Sequence, residues 1–250
     1  MRYFLYLSYM GTAYHGWQIQ PNGISVQEVL QGALSILLRE PTEVLGAGRT
    51  DTGVHAALMV AHFDTESTVP TSDDFLRRLN SLLPRDIAVH DLRPVKADAH
   101  ARFDAVARRY EYHVHFGKNV FKQNLSLRLH HPLDFEAMNR AAEVLKEYRD
   151  FSSFSKLHTD VMTNNCVVTR AEWLQQGDEW VFHIEADRFL RNMVRSIVGT
   201  LFDVGAGRMN LEQFRVVIEA ENRCKAGVSV AAHGLYLVDI RYPKEIFIIH

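Results

Sequence analysis

The chain has 250 residues, 47% of them hydrophobic and 23% charged, enough for one large domain or two of ordinary size with a substantial core. Its formal net charge of −2 provides no global basic field, which counts only weakly against a nucleic-acid partner because phosphate affinity needs just a local Lys/Arg patch. No apolar run is long enough to span a bilayer, and Cys166 and Cys224 offer neither a disulfide framework nor CxxC zinc spacing, so a reduced cytoplasm is expected.

Met1–Tyr9 alternates aromatic and aliphatic residues and reads as a strand rather than a signal peptide. Tyr14–Gly23 is a loop punctuated by Gly and Pro, in which Trp17 reads as packing. Ser25-Val26-Gln27-Glu28 has the pattern of a capping box, and Val26, Val29, Leu30, Ala33, Leu34 and Leu37 follow at helical spacing. Thr42–Leu45 and Ala57–Phe63 read as strands. Between them lies Gly46-Ala47-Gly48-Arg49-Thr50-Asp51-Thr52-Gly53-Val54-His55-Ala56, a loop fixed at both ends, which is a common place for chemistry. By itself Asp51 could equally cap its own turn. A second helix is expected from Ser72, with Phe75, Leu76, Leu79 and Leu82 inward and Pro84 ending it; Asp86–Leu92 reads as a strand. The resulting β-α-β-β-α-β order is the split ferredoxin-like arrangement.

The same order recurs. Arg109–Phe116 alternates cleanly, with Tyr110, Tyr112, Val114 and Phe116 on one face and Arg109, Glu111, His113 and His115 on the other. Phe135, Met138, Ala141, Ala142 and Leu145 mark a helix. Val167–Leu174 and Trp180–Ala186 make a hairpin through Gln176-Gly177-Asp178. Phe189–Val204 reads as an amphipathic helix, Leu211–Ala220 as an inserted one, and Gly234–Tyr242 as the closing strand. The expectation is an α/β (α+β) protein of two ferredoxin-like, RRM-like βαββαβ halves, residues 1–104 and 105–250, linked through Asp98–Ala107. Open sheet faces of this kind suit RNA recognition.

Asp51-Thr52-Gly53 matches the Asp-Thr-Gly triplet of aspartic proteases, but no second Asp-Thr-Gly or Asp-Ser-Gly supplies the partner carboxylate, and several helices disagree with an all-β lobe. His113 and His115 share a strand face; without a third donor they read as surface residues, and no metal site is expected. No Gly-Lys-Ser/Thr or GxGxxG phosphate loop occurs.

Asp51 and Arg49, taken with Ala101-Arg102-Phe103, Arg108-Arg109-Tyr110-Glu111-Tyr112 and Phe189–Arg195, form a recognisable set. With Gly16-Trp17-Gln18, Ser25–Glu28, Gly48–Asp51, Met193-Val194-Arg195 and Gly234–Leu237 in order, the sequence resembles the tRNA pseudouridine synthase A family over nearly its whole length. Thr52 departs from the family's usual Ala. The resemblance implies a pseudouridine-synthase fold with a central cleft between the halves. It implies a cofactor-free isomerase converting uridine to pseudouridine in the tRNA anticodon stem-loop, at positions 38, 39 and 40, and acting as a homodimer.

Asp51 would be the nucleophile. Arg49 would enter the stack vacated by the flipped uridine or hold its phosphate, an extrusion costing a few kcal/mol; its bland alternative is an ion pair with Asp51. Arg195 would hold Asp51 ionised, because a nearby cation favours a carboxylate's charged form. Tyr110 would pack on the uracil. Arg102, Arg108, Arg109, Arg188 and Arg191 would bind phosphate. A passive RNA-binding module of the same fold is the competing reading.

Overall fold

Arg2–Tyr9 forms strand β1, and in the computed structural model Tyr3, Phe4, Leu5 and Leu7 are all buried. Phe4 points to the face opposite Tyr3, Leu5 and Leu7, so side chains on both faces of the strand are covered. The structure describes residues 1–66, 69, 73–156 and 163–248. They fall into two units, Met1–Ala107 with Leu237–His250, and Arg108–Tyr236.

In the first unit β1 is followed by helix α1 (Val26–Leu38), strands β2 (Leu45–Gly46) and β3 (His55–Asp64), helix α2 (Asp73–Leu82) and strand β4 (Ile87–Val95). β1 pairs antiparallel with β3, Leu5 opposite Ala61, and with β4, Leu5 opposite Leu92; β2 pairs with β3 on its far edge. The strand order β4-β1-β3-β2 is the ferredoxin-like one expected from the element order. Ser25 caps α1 by accepting from the Glu28 N–H at 3.2 Å. The expected start of α2, Ser72, lies outside the described residues.

Two local readings change. Thr42–Leu45 is strand only at Leu45, because side chains of α1 occupy its backbone groups first. Ser35 Oγ accepts from Thr42 N–H at 3.0 Å, Gln31 Oε1 accepts from Val44 N–H at 3.2 Å, and Gln27 donates to the Val44 carbonyl at 2.7 Å. In α2, Leu82 is 42% exposed and Leu83 is buried instead, since the chain leaves helical geometry at Leu83 ahead of Pro84. Residues close to the C-terminus cover Phe4. Tyr242 and Phe247 pack edge-on against Phe4 at 5.0 and 6.2 Å, and Lys96 N–H donates to the Ile246 carbonyl at 2.9 Å.

The second unit contains strand β5 (Ala107–Phe116), a short β6 (Leu127–Leu129), helix α3 (Phe135–Val144), strands β7 (Val168–Gln176) and β8 (Glu179–Ala186), and helices α4 (Met193–Gly205) and α5 (Leu211–Glu219). Strand β9 (Leu235–Arg241) begins in this unit and runs into the first. β8 lies between β5 and β7, antiparallel to both, while β6 runs parallel to β5. The core is aromatic: Trp173 lies 5.1 Å from Phe182 and 5.4 Å from Phe135, and Phe135 stacks on Trp180 at 4.0 Å.

α4 starts at Met193, four residues later than its apolar pattern suggests, because Asn192 takes a left-handed conformation (φ 66°) and stops the helix there. His115 is a further correction. It is 3% exposed, not a surface residue, and its Nδ1 lies 3.0 Å from Ser126 Oγ, since the segment leading to β6 folds over this face.

The strands at the outer margins, β4 and β7, are held the same way. Asn80 of α2 both donates to and accepts from the backbone of Val89 at 2.9 Å, and Asn139 of α3 does so with Trp173 at 3.0 and 2.6 Å. Each amide satisfies edge groups that would otherwise be open to another chain.

One buried histidine makes stability pH-dependent. His62 Nδ1 accepts from Ala101 N–H at 3.2 Å, so the ring must be neutral to keep that bond. Burial first, then the nearby His100 and Arg2, lower its pKa to about 4. The unfolded value is near 6.5, so between about 6.5 and 4 the unfolded chain binds the extra proton and stability falls as pH falls. His62→Asn, whose Oδ1 accepts without titrating, is expected to lose less stability than wild type between pH 7 and 5, by up to about 2 kcal/mol in urea unfolding. An equal loss in both would place the proton elsewhere.

Candidate active site

Asp51 is half-buried, and the loop that carries it is anchored from several directions. Thr50, just before it, is buried: its carbonyl accepts from Trp17 N–H at 3.2 Å and its hydroxyl lies 2.8 Å from Tyr9 Oη. Ala47 N–H donates to the Val60 carbonyl, Val54 N–H closes a turn on the Asp51 carbonyl, and Gly11 N–H donates to His55 Nδ1 at 3.0 Å. Trp17 is buried and tilted against Tyr9 at 6.1 Å, which is the packing role expected of it. Arg49 and Thr52, on either side, are exposed. A rigid backbone thus presents one half-buried carboxylate between two solvent-facing residues.

The close approach depends on Gly16. Its φ is +87°, and a Cβ there would stand 2.3 Å from the Thr50 carbonyl oxygen. Gly48 differs: a Cβ would meet nothing within 4 Å and its φ is not left-handed, so the fold itself does not require this glycine.

In the second unit Tyr110 is half-buried on β5, its ring edge-to-face with Phe189 at 5.0 Å. Arg108, two residues earlier on the same strand face, donates from Nη1 to the Asp187 carbonyl at 2.8 Å. The Asp187 carboxylate accepts from Val167 N–H and Arg188 N–H, both at 2.7 Å, fixing the loop that carries half-buried Arg188, Phe189 and exposed Arg191. Arg109 points to the opposite face, opposite Glu185, so Arg108 and Arg109 do not form one patch. Arg102 is exposed in the first unit.

Arg195 is half-buried in the first turn of α4. Its Nε donates to the Val230 carbonyl at 2.7 Å, and Val230 N–H donates back to the Arg195 carbonyl at 3.1 Å. The strap containing Val230 is tied along α4 by Gly227 N–H to Thr200 Oγ1 at 2.9 Å and by Asn192 to Ser229 Oγ at 2.6 Å. It approaches so closely that a Cβ on Gly199 would lie 1.8 Å from the Val228 carbonyl oxygen. Neither this strap nor Tyr9 is marked by any local motif; Gly199, facing the Val228 carbonyl, and Gly227, facing Thr200, are the trace of the close approach.

Among the described residues no group of three or more His, Cys, Asp or Glu side chains is placed to hold a metal ion, and no helix is long and apolar enough to cross a membrane. Burial pushes the Cys166 thiol up to about 12, so it is no nucleophile at neutral pH.

A model of the tRNA pseudouridine synthase family matches residues 6–104 and 141–243. The chain is 58% identical to proteins named tRNA pseudouridine synthase A from Bacteroides fragilis and Parabacteroides distasonis, over 98% of this chain and 98% of each relative. It is 39% identical to the protein of that name from Exiguobacterium sibiricum, over 96% of both chains. The chain belongs to the tRNA pseudouridine synthase family. The match contains the Asp51 loop in its first segment and Arg195 in its second, while Tyr110 falls between them. With five α-helices among the described residues and family membership, the aspartic-protease match of Asp51-Thr52-Gly53 is set aside.

Two glycine substitutions check the anchoring. Gly16→Ala is expected to lower the thermal midpoint and cut kcat at least tenfold, whereas Gly48→Ala should leave stability within about 0.5 kcal/mol of wild type. Comparable midpoints for the pair would contradict the contact at Thr50. Gly199→Ala is expected to destabilise the protein in a thermal melt even though alanine is the better helix former, and to reduce turnover as the strap is pushed off Arg195.

Proposed function

We propose that this chain isomerises uridine to pseudouridine in the tRNA anticodon stem-loop, at positions 38, 39 and 40, with Asp51 as nucleophile. The observation that carries the reading is the Asp51 loop: a half-buried carboxylate on a backbone held by Trp17 and Tyr9, next to an exposed arginine, in a member of this family. A protein that only bound RNA would gain nothing from a carboxylate held beside phosphates.

The reaction breaks the bond between N1 and the ribose C1′ and makes one between C5 and C1′. The C5 proton goes to solvent and N1 gains a proton, so substrate and product have the same formula. An ionised carboxylate suits the first half, because it attacks or stabilises the electron-poor centre left when the base departs. The target base must leave the stack, and Arg49 is the exposed side chain two residues from Asp51 that would hold the vacated position or the adjacent phosphate.

Tyr110 and Arg195 complete the site in this reading, the tyrosine packing on the uracil and the arginine keeping Asp51 ionised. Arg102, Arg108, Arg109, Arg188 and Arg191 are the phosphate contacts. A near-neutral chain of net charge −2 gains basic surface if two copies share one tRNA, and a homodimer in the cytoplasm is part of the proposal.

The test follows tritium release from C5 of uridine-labelled tRNA by wild type and Asp51→Asn together. Release by wild type and none above background by a variant that still binds tRNA is the expected result. Binding without release by either would leave a passive RNA reader, and equal release from both would remove Asp51 from the chemistry. In the same assay Arg195→Ala alone is expected to cut release at least tenfold while tRNA binding is retained, as expected for two groups acting as a unit.

A further inference from the structure

Phe103 is 73% exposed, although it sits on one of the most firmly tied turns of the first unit. Every backbone N–H from Ala99 to Asp104 has a partner. Ala99 donates to the Lys96 carbonyl, His100 to Asp104 Oδ2 at 2.7 Å, Ala101 to His62 Nδ1, and Asp104 to the His100 carbonyl. Arg102 and Phe103 both donate to His100 Nδ1, at 3.1 and 3.4 Å. Arg2 and the Tyr242 hydroxyl bind the carbonyls of Ala99 and Ala101 at 2.9 and 2.6 Å, and both alanines are buried.

A floppy loop would let an apolar ring fold back onto the protein. Here the backbone denies it that freedom and holds it out in water. Beneath it is a support of rings: Phe103 lies 4.3 Å from His100, which lies 4.6 Å from His62. Burial lowers the pKa of both histidines, so the support is neutral at pH 7 and adds no competing charge. Asp104 is turned inward by its bond to His100, while exposed Arg102 carries its guanidinium 5.6 Å from the Phe103 ring.

We propose that the His100–Asp104 turn is a stacking platform for an unpaired base of the bound tRNA, with Phe103 meeting the face of the base and Arg102 its phosphate. A rigid, solvent-facing aromatic with a cation beside it is the combination that proteins use for unstacked bases, because every base offers a π-face. Arg102 alone reads as one surface charge among many. Phe103 gives it a partner and a purpose. The inference rests on tRNA being the substrate.

The experiment measures anisotropy of fluorescently labelled unmodified tRNA with full-length wild type, Phe103→Ala, Phe103→Leu and Phe103→Trp, with tritium release and sedimentation velocity on each. Melting temperatures should be unchanged, since the ring is exposed. Alanine and leucine are expected to weaken binding roughly fivefold to a hundredfold, and tryptophan to stay within about threefold of wild type. Arg102→Gln should lower the salt slope of binding by about one.

Leucine binding as well as wild type would overturn the platform, since apolar contact would then suffice. Loss of an oligomer in the alanine variant, restored by leucine, would assign Phe103 to a protein interface and overturn it too. No tritium release by wild type would sink the isomerase reading itself. Full turnover by wild type with binding indifferent to Phe103 would sink only the platform.

Discussion

The peptide joining Thr50 to Asp51 is the constraint on which the geometry of the Asp51 loop depends. Trp17 N–H fixes the Thr50 carbonyl, Tyr9 fixes its hydroxyl, and the absence of a side chain at Gly16 lets that carbonyl lie so close. These anchors come from the end of β1 and the loop after it, elements that the hydrophobic core holds independently of any substrate. The hydrogen bonds fix the backbone that carries the Asp51 carboxylate from behind. The side chain itself remains half-buried, reachable by a ligand.

In the second unit a cation is held by the same kind of contact. An arginine has several rotatable bonds, and left to solvent it samples many positions. Arg195 is clamped at Nε by the Val230 carbonyl while its own carbonyl is taken by Val230 N–H. The strap that provides these groups can lie so close only because residue 199 lacks a side chain. The same principle recurs at the sheet margins, where Asn80 and Asn139 each occupy both backbone groups of one strand residue, and at the Phe103 turn, where two histidine rings take up backbone donors. Side chains that satisfy backbone groups, rather than more secondary structure, hold these segments in place.

What the sequence determined by itself is most of the elements and the family to which the chain belongs. Periodicity marked α1, α3, the β7–β8 hairpin and the alternating faces of β5, because a helix or strand repeats its buried face at a fixed local spacing. Ser25 announced its cap, and the glycine-flanked Asp51 its loop. Its apolar pattern started α4 too early, since apolar residues before Asn192 continue the stripe while the left-handed backbone at Asn192 ends the helix. Only the tertiary structure decided that Thr42–Val44 is held by glutamines and a serine of α1, that His115 is covered, that Gly16 matters where Gly48 does not, and that Val230 grips Arg195. The physical reason is the same in each case. These are hydrogen bonds and close approaches between residues distant in the chain, and no local spacing encodes which backbone group a remote side chain will reach.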